Sequence, residues 1–233
     1  MPDDLTRGSS FRYLPGTKEE IDGIKREAHK AGIKTVLLSG VNATKESFLS
    51  LNDLASPSIL HIATHGFFFD DPANDSLAEL RKKFEISGKI FRESQNPLFR
   101  MGLLFAGGNN MWRGRVTNSV GNGIVTAYEI SSSMYLPNTK LAVLSACETA
   151  LGDIEGNEGV YGLQRAFKIA GVQNLVMSLW SIADNTTSEF MNIFYDQLFL
   201  NKHINEAFRF AQGEMKKKYP AEPNKWAGII LVH

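Results

Sequence analysis

The hydrophobic positions of this chain follow two periodicities. Short runs of apolar and β-branched residues, bounded by glycine, proline or polar residues, predict buried strands. Six such runs occur, at residues 35–39, 59–66, 98–106, 140–147, 172–182 and 226–232. The run at 140–147 is apolar almost throughout, which is typical of a central strand buried on both faces of a parallel sheet.

Between these runs, apolar residues three and four apart predict amphipathic helices. The predicted helices cover residues 17–32, 45–54, 77–84, 126–134, 158–170, 187–200 and 204–217. Thr17 and Glu20 have the spacing of a capping box at the start of the first helix, and Thr44 is placed to cap the second. Gly107 to Asn110 and the stretch from 112 to 123 are rich in turn residues and predict turns with a hairpin.

Strands that alternate with helices predict an α/β fold, a three-layer sandwich with a mostly parallel central sheet flanked by helices. A length of 233 residues suits a single domain over 1–233. Residues 1–13 form a polar N-terminal segment of that domain. The charged stretch between residues 70 and 123 reads as a long excursion that gates a cleft or docks a partner.

Composition narrows the functional classes. Equal numbers of basic and acidic residues, 25 of each, argue against a protein that binds nucleic acid through a broad basic surface. No apolar run reaches the roughly 18 residues that a membrane-spanning helix needs, and the first residues lack a secretory pattern. A single cysteine rules out an intrachain disulfide and suits a reducing compartment. We therefore expect a cytoplasmic protein without a membrane partner.

Two predicted strands end in residues that can do chemistry. His65 and Gly66 close the run at 59–66, and Cys147, the single cysteine, closes the run at 140–147. Neighbouring parallel strands would bring both ends to one edge of the sheet, where α/β proteins bind their ligands. An imidazole there can activate a thiol, and the backbone N–H groups of Gly66 and Cys147 can hold an oxyanion. A buried core thiol is the alternative interpretation of Cys147.

No cofactor is expected. Gly107 and Gly108 do not complete a nucleotide-binding fingerprint. His61 and His65 are four residues apart and form a conceivable metal pair, but no third ligand is evident in the sequence. We therefore expect no metal, and we interpret His61 as a hydrogen-bonded core histidine.

Several residues near these strand ends are candidates for substrate binding. Glu148 and Asp153 directly follow the cysteine, Asp184 follows the strand at 172–182, and Trp180 lies at the end of that strand. The carboxylates either line a pocket for a basic or polar side chain or belong to solvated loops and helix starts. For Asp184, capping of the following helix and a place in the pocket both remain open. Trp180 is expected to form a wall of the same cleft.

The order of these motifs resembles the CHAT domain, a caspase-like domain often found with tetratricopeptide repeats. The resemblance covers nearly the whole chain and is carried by the motifs HIATHG at 61–66, NPLFRMGLLFA at 96–106, VLSACET at 143–149, EGVYGLQRAF at 158–167, SLWSIAD at 178–184 and WAGIIL at 226–231.

The resemblance implies a cysteine endopeptidase with His65 and Cys147 as catalytic dyad and an oxyanion hole at Gly66 and Cys147. It also implies limited cleavage of a protein substrate, such as a gasdermin-like protein or another target encoded nearby, in bacterial defence or regulated cell death. A tetratricopeptide-repeat sensor region is the implied partner. The alternative function is a catalytically weak caspase-like scaffold for regulated protein association.

Overall fold

The structure is a computed structural model that describes residues 10–69, 89–115, 122–145, 158–180, 182–200 and 202–233. Three predicted site residues, Cys147, Glu148 and Asp153, lie outside the described residues. So do the predicted helix at 77–84 and much of the excursion between residues 70 and 123.

Parallel strands form the centre of the molecule, as predicted. Within the described residues the larger sheet contains β1 (Ile59–Ile62), β5 (Leu141–Leu144), β6 (Asn174–Ser178) and β7 (Ile229–Val232). The order is β1-β5-β6-β7, with β1, β5 and β6 parallel and β7 antiparallel to β6. All four residues of β5 are buried between the two neighbouring strands, which confirms that the run before the cysteine is the central strand.

Helices cover both faces of this sheet. The described helices are α1 (Pro15–Lys30), α2 (Lys45–Leu49), α3 (Lys89–Arg92), α4 (Gly108–Trp112), α5 (Ala127–Ser133), α6 (Glu158–Ile169), α7 (Asp184–Phe199) and α8 (Ile204–Lys218). Leu141 and Val143 of β5 pack in one core with α7 and α8. Ala142 and Leu144 face the opposite core, which contains residues of α5 and α6. Alternate residues of β5 therefore pack in two cores, one on each face of the sheet. The three-layer α/β sandwich is confirmed.

A second, antiparallel sheet lies beside the first. It consists of β2 (Gly66–Phe68), β3 (Met101–Leu104) and β4 (Ile124–Thr126), in that order. The predicted strand at 59–66 therefore divides: the chain leaves the parallel sheet after Ile62 and enters the second sheet at Gly66. A compact aromatic cluster packs on this sheet, formed by Phe67, Phe69, Phe91 and Trp112 together with Leu104 and Ile124.

Glycines allow α1 to approach α7 closely. A Cβ atom at Gly16 would lie 2.5 Å from Asp184 Cβ, and one at Gly23 would lie 1.9 Å from Asn192 Oδ1. The two glycines are seven residues apart, so they lie on the same face of α1. This crossing places the first turns of α1 and α7 side by side.

Some local predictions are wrong. The first helix begins at Pro15 with Leu14 as its N-cap, and Thr17 does not cap it. Proline fits the first helical position because its φ angle suits a helix, and Glu20 turns inward to tertiary partners. Residues 35–39 form no strand and are exposed. Residues 108–112 form α4 where turns were predicted, with Gly107 as N-cap in a left-handed conformation.

Candidate functional site

The site lies at the carboxyl edge of the parallel sheet. β1 and β5 are neighbours in parallel register, with Ile62 opposite Leu144. His65 follows Ile62 by three residues, and Cys147 follows Leu144 by the same number along the sequence. The neighbouring parallel strands that the sequence led us to expect are thus present.

His65 occupies the link between the two sheets. The backbone carbonyl of His65 accepts a hydrogen bond of 2.9 Å from Leu104 N, and the Thr64 hydroxyl donates to Leu104 O. These contacts tie the link to the end of β3. Because the chain is held on both sides of the imidazole, the ring has a defined position at the sheet edge.

The backbone carbonyl of Arg12 fixes the tautomer of His65. The Nε2 atom of His65 lies 2.5 Å from Arg12 O. A carbonyl oxygen only accepts hydrogen bonds, so Nε2 carries the proton in the neutral ring and Nδ1 carries the lone pair. Nδ1 is therefore the basic atom of this imidazole.

Phe11 secures the segment that carries this carbonyl. The Phe11 ring contacts the His65 ring at a centroid distance of 5.1 Å and the Trp112 ring at 4.8 Å. The Asn109 side chain binds both backbone groups of Phe11: Oδ1 accepts from Phe11 N at 2.8 Å, and Nδ2 donates to Phe11 O at 2.9 Å. His65 is consequently only 9% exposed.

A cavity of about 530 Å³ opens beside the end of β5, where the first turns of α1 and α7 meet. Its lining is rich in carboxylate, hydroxyl and amide groups and consists of Leu14, Pro15, Gly16, Thr17, Glu19, Glu20, Ser145, Ile182, Ala183, Asp184, Asn185 and Thr187. Among these described lining residues there is no lysine, arginine or histidine. The cavity therefore favours a cationic or strongly hydrogen-bonding group.

Beneath the cavity lies a buried polar cluster. Glu20 is 2% exposed and accepts a hydrogen bond of 2.8 Å from the Ser145 hydroxyl. Its Oε1 atom lies 3.0 Å from His61 Nε2, in a contact without hydrogen-bond geometry. His61 Nδ1 lies 3.0 Å from the Tyr195 hydroxyl. Burial, and secondarily the charge of Glu20, raise the pKa of Tyr195 well above its usual value.

The other predicted residues divide into two groups. Gly66 is buried at the start of β2, next to His65, and Asp184 lines the cavity. Ala183 is the N-cap of α7, with no side-chain capping bond, so capping by Asp184 is not observed. The Trp180 indole donates to Asn224 O at 2.8 Å and packs against Gly228, apart from the cavity lining.

Two contacts of the candidate site were not predicted from the sequence. The Arg12 carbonyl is a backbone group, which side-chain patterns do not reveal. Glu20 matched a capping box, although its spacing of four residues from Ile24 and eight from Ala28 in α1 was a signal that it shares their inward face. His61 was expected as a hydrogen-bonded core histidine, and its hydrogen bond with the Tyr195 hydroxyl confirms that interpretation.

No group of three or more histidine, cysteine, aspartate or glutamate side chains within the described ranges is arranged to bind a metal ion. None of the helices described combines the length and apolarity needed to cross a membrane.

Comparisons with known proteins agree with the geometry. The family model of the CHAT domain matches residues 1–233. The chain is similar to tetratricopeptide repeat protein 28 of Mus musculus, with 30% identity over 99 residues, which is 41% of this chain and 4% of that protein. Its similarity to the Homo sapiens protein of the same name is 29% over 113 residues, 47% of this chain and again 4% of the relative. The chain thus spans a small part of these relatives.

Proposed function

Because this chain belongs to the CHAT domain family, which has a caspase-like fold, we propose that it is a cysteine endopeptidase with His65 and Cys147 as its catalytic dyad. The observation that supports this most is the state of His65. The ring lies at the carboxyl edge of the strand beside β5, and Arg12 O sets Nδ1 as its proton acceptor.

The proposed reaction uses this basic atom twice. The Cys147 thiol gives its proton to Nδ1 of His65, and the thiolate attacks the carbonyl carbon of the scissile peptide. The backbone N–H groups of Gly66 and Cys147 stabilise the oxyanion of the tetrahedral intermediate. Its collapse breaks the C–N bond, and the imidazolium protonates the departing amine. Water, activated by the same imidazole, then hydrolyses the thioester and regenerates the thiol.

Substrate preference in this proposal follows from the cavity. A residue with a basic side chain before the cut suits a lining that contains Asp184 and Glu19, because a guanidinium or ammonium group is stabilised by nearby carboxylates. Glu148 and Asp153 are further proposed contacts, since they follow Cys147 in the sequence. Trp180 remains a candidate on sequence grounds only.

The biological setting is part of the proposal. Residues 1–233 would act as one catalytic domain under the control of a tetratricopeptide-repeat region, a pairing supported by the relatives that carry that name. The substrate would be a protein encoded nearby, such as a gasdermin-like protein, cut in the cytoplasm during bacterial defence or regulated cell death.

The test compares Cys147→Ala and His65→Ala proteins with the unmodified chain. Each is incubated with the product of a neighbouring gene, and the fragments are mapped by mass spectrometry. We expect both variants to lose cleavage, while His203→Ala, which changes an exposed histidine far along the chain, retains it. Undiminished cleavage by the Cys147→Ala protein would exclude the dyad. Absence of cleavage and of cysteine labelling in every condition would favour the scaffold alternative.

A further inference from the structure

The proposed chemistry does not use the buried carboxylate of Glu20. A carboxylate removed from water is costly unless its oxygens are paired. Here one oxygen accepts the Ser145 hydroxyl at 2.8 Å and the other lies 3.0 Å from His61 Nε2. These two contacts therefore hold the Glu20 carboxylate in place. Equally, Glu20 holds the Ser145 hydroxyl and the His61 ring.

The cluster joins four elements of the fold through polar side chains. Glu20 comes from α1, His61 from β1, Ser145 from the end of β5, and Tyr195 from α7. The Tyr195 hydroxyl holds the far side of the His61 ring, with its oxygen 3.0 Å from Nδ1. Because Tyr195 is itself only 1% exposed, the surrounding core restrains the whole chain of contacts.

Ser145 is where this cluster reaches the site. Its backbone N–H donates to Ile62 O at 2.9 Å, continuing the pairing of β1 with β5. Its hydroxyl binds Glu20, so both the main chain and the side chain of this residue are held. Ser145 precedes Cys147 by two residues in the sequence. The contacts that fix Ser145 therefore act on the chain two residues before the proposed nucleophile.

We infer that Glu20 and His61 are positioning residues, which hold the Ser145 end of β5, the strand that leads to the proposed nucleophile, in place beside the strand that leads to His65. This inference rests on the proposed function, since it assigns the pair a role in that reaction. One segment, Arg12 to Glu20, then supports both halves of the dyad: Arg12 O orients His65, and Glu20 anchors Ser145. Neither contact touches substrate.

A substrate-free measurement tests this inference. Since the chain has one cysteine, the rate constant for alkylation by iodoacetamide reports on Cys147 alone. The rate is measured from about pH 5 to about pH 9, a range that covers an activated thiol and an ordinary one. Ser145→Ala and Glu20→Gln are compared with Thr139→Val. Thr139 is fully buried at the opposite end of β5 and donates its hydroxyl to Pro57 O at 2.8 Å.

We expect Ser145→Ala to lower the alkylation rate near neutral pH about tenfold, the size of effect that a lost hydrogen bond to a charged group produces. The apparent pKa of the thiol should rise as well. Glu20→Gln should give a smaller decrease, because its amide still accepts from Ser145 but carries no charge. Thr139→Val removes a comparable buried hydrogen bond just before the start of β5 and should leave the rate within about twofold.

Different results would exclude the proposed function and the positioning role. If Cys147 of the unmodified protein reacts no faster than N-acetylcysteine at every pH, the proposed function fails. If it reacts fast, but Ser145→Ala and Glu20→Gln behave like Thr139→Val, the positioning role is overturned. Circular dichroism and thermal unfolding identify any variant that does not fold. Should Ser145→Ala be one of these, Glu20→Gln and His61→Gln decide the question.

Discussion

The Nε2 atom of His65 lies 2.5 Å from the carbonyl oxygen of Arg12. Residue 12 is distant in sequence from both strands of the site, yet its backbone determines which nitrogen of the imidazole is basic. The contact depends on the segment of Phe11 and Arg12, which lies outside the sheets. Asn109 and Trp112 hold Phe11 in place, and we call these contacts the Phe11 clamp. The tautomer of His65 therefore depends on this clamp as much as on the strand edge.

The clamp gives the first prediction. Asn109→Ala removes two hydrogen bonds to the Phe11 backbone and should release Arg12 O from His65. We expect the His65 ring, observed by ¹H–¹⁵N correlation NMR at neutral pH, to change from the Nε2–H tautomer to a mixture. Alkylation of Cys147 should slow at the same time. Asn110→Ala, a change in the same short helix, should leave the His65 signals in place; equal spectra for both variants would contradict the role of the clamp.

The close crossing of α1 and α7 gives the second prediction. Gly16→Ala places a methyl group 2.5 Å from Asp184 Cβ and 3.0 Å from its backbone carbon, so the helices must separate. We expect a loss of about 1–3 kcal/mol in the free energy of unfolding, as for other overpacked sites.

The matched control for this change is Gly213→Ala in α8, where nothing lies within 4 Å of the added Cβ. Alanine is the better helix former, so we expect a gain of about 0.5–1 kcal/mol. Urea denaturation measures both variants. If Gly16→Ala were as stable as the unmodified protein, the helices would have room that the structure does not show.

Much of the fold was predictable, because a strand that is buried on both faces of a sheet appears in the sequence as a continuous apolar run. The apolar run before Cys147 is typical of a central strand, and β5 is one. Thr44 was predictable as a cap, and its side chain accepts a hydrogen bond from Ser47 N. The neighbouring arrangement of β1 and β5 followed from the chemistry expected at their ends.

Other features depended on partners that local sequence does not encode. Glu20 satisfied the spacing of a capping box, but contacts with Ser145 and His61 determine its orientation. Residues 35–39 have high β-propensity, yet a strand requires a neighbour, and β1 pairs only with β5 in the described sheet. The division of the run at 59–66 arises because Gly66 pairs with Leu103 in the second sheet.

The exposed stretch near residue 36 gives the third prediction. Val36 is 81% exposed and Val41 is 84% exposed, so neither contributes to a core. We expect Val36→Ser and Val41→Ser to change the free energy of unfolding by less than about 0.5 kcal/mol. A matched change in the core, Val143→Ser, should cost several times more. If thermal unfolding showed a large loss for Val36→Ser, these residues would be packed in solution.

Tyr195 gives the fourth prediction, concerning alkaline pH. Burial, then the charge of Glu20, raise the pKa of Tyr195 in the folded protein, whereas the unfolded chain titrates near pH 10. Above that pH the unfolded state binds fewer protons than the folded state, so stability falls as pH rises. The contribution is fully present below about pH 10 and is lost progressively above it.

Tyr195→Phe should cost about 1 kcal/mol at neutral pH, since the hydroxyl contact with His61 is lost. It should also flatten the decline in stability above about pH 10. Urea denaturation at neutral and alkaline pH tests both effects. Tyr161→Phe, at an exposed position, should change neither. An equally steep alkaline decline in the Tyr195→Phe protein would show that other groups cause it.

Asp184 gives the last prediction, concerning specificity. It lines the cavity without capping α7, so its charge is available to a basic side chain. In peptide-library cleavage, Asp184→Asn should reduce kcat/KM for substrates with arginine or lysine before the cut about tenfold or more, as expected for a lost charged hydrogen bond. Substrates with neutral residues there should be cut about as before.

Asp196→Asn removes an exposed carboxylate from the same helix and should leave the cleavage of both substrate classes unchanged. A uniform loss over all substrates in Asp184→Asn would assign the residue to the stability of the cavity, because selective recognition of a cation affects only the substrates that carry one.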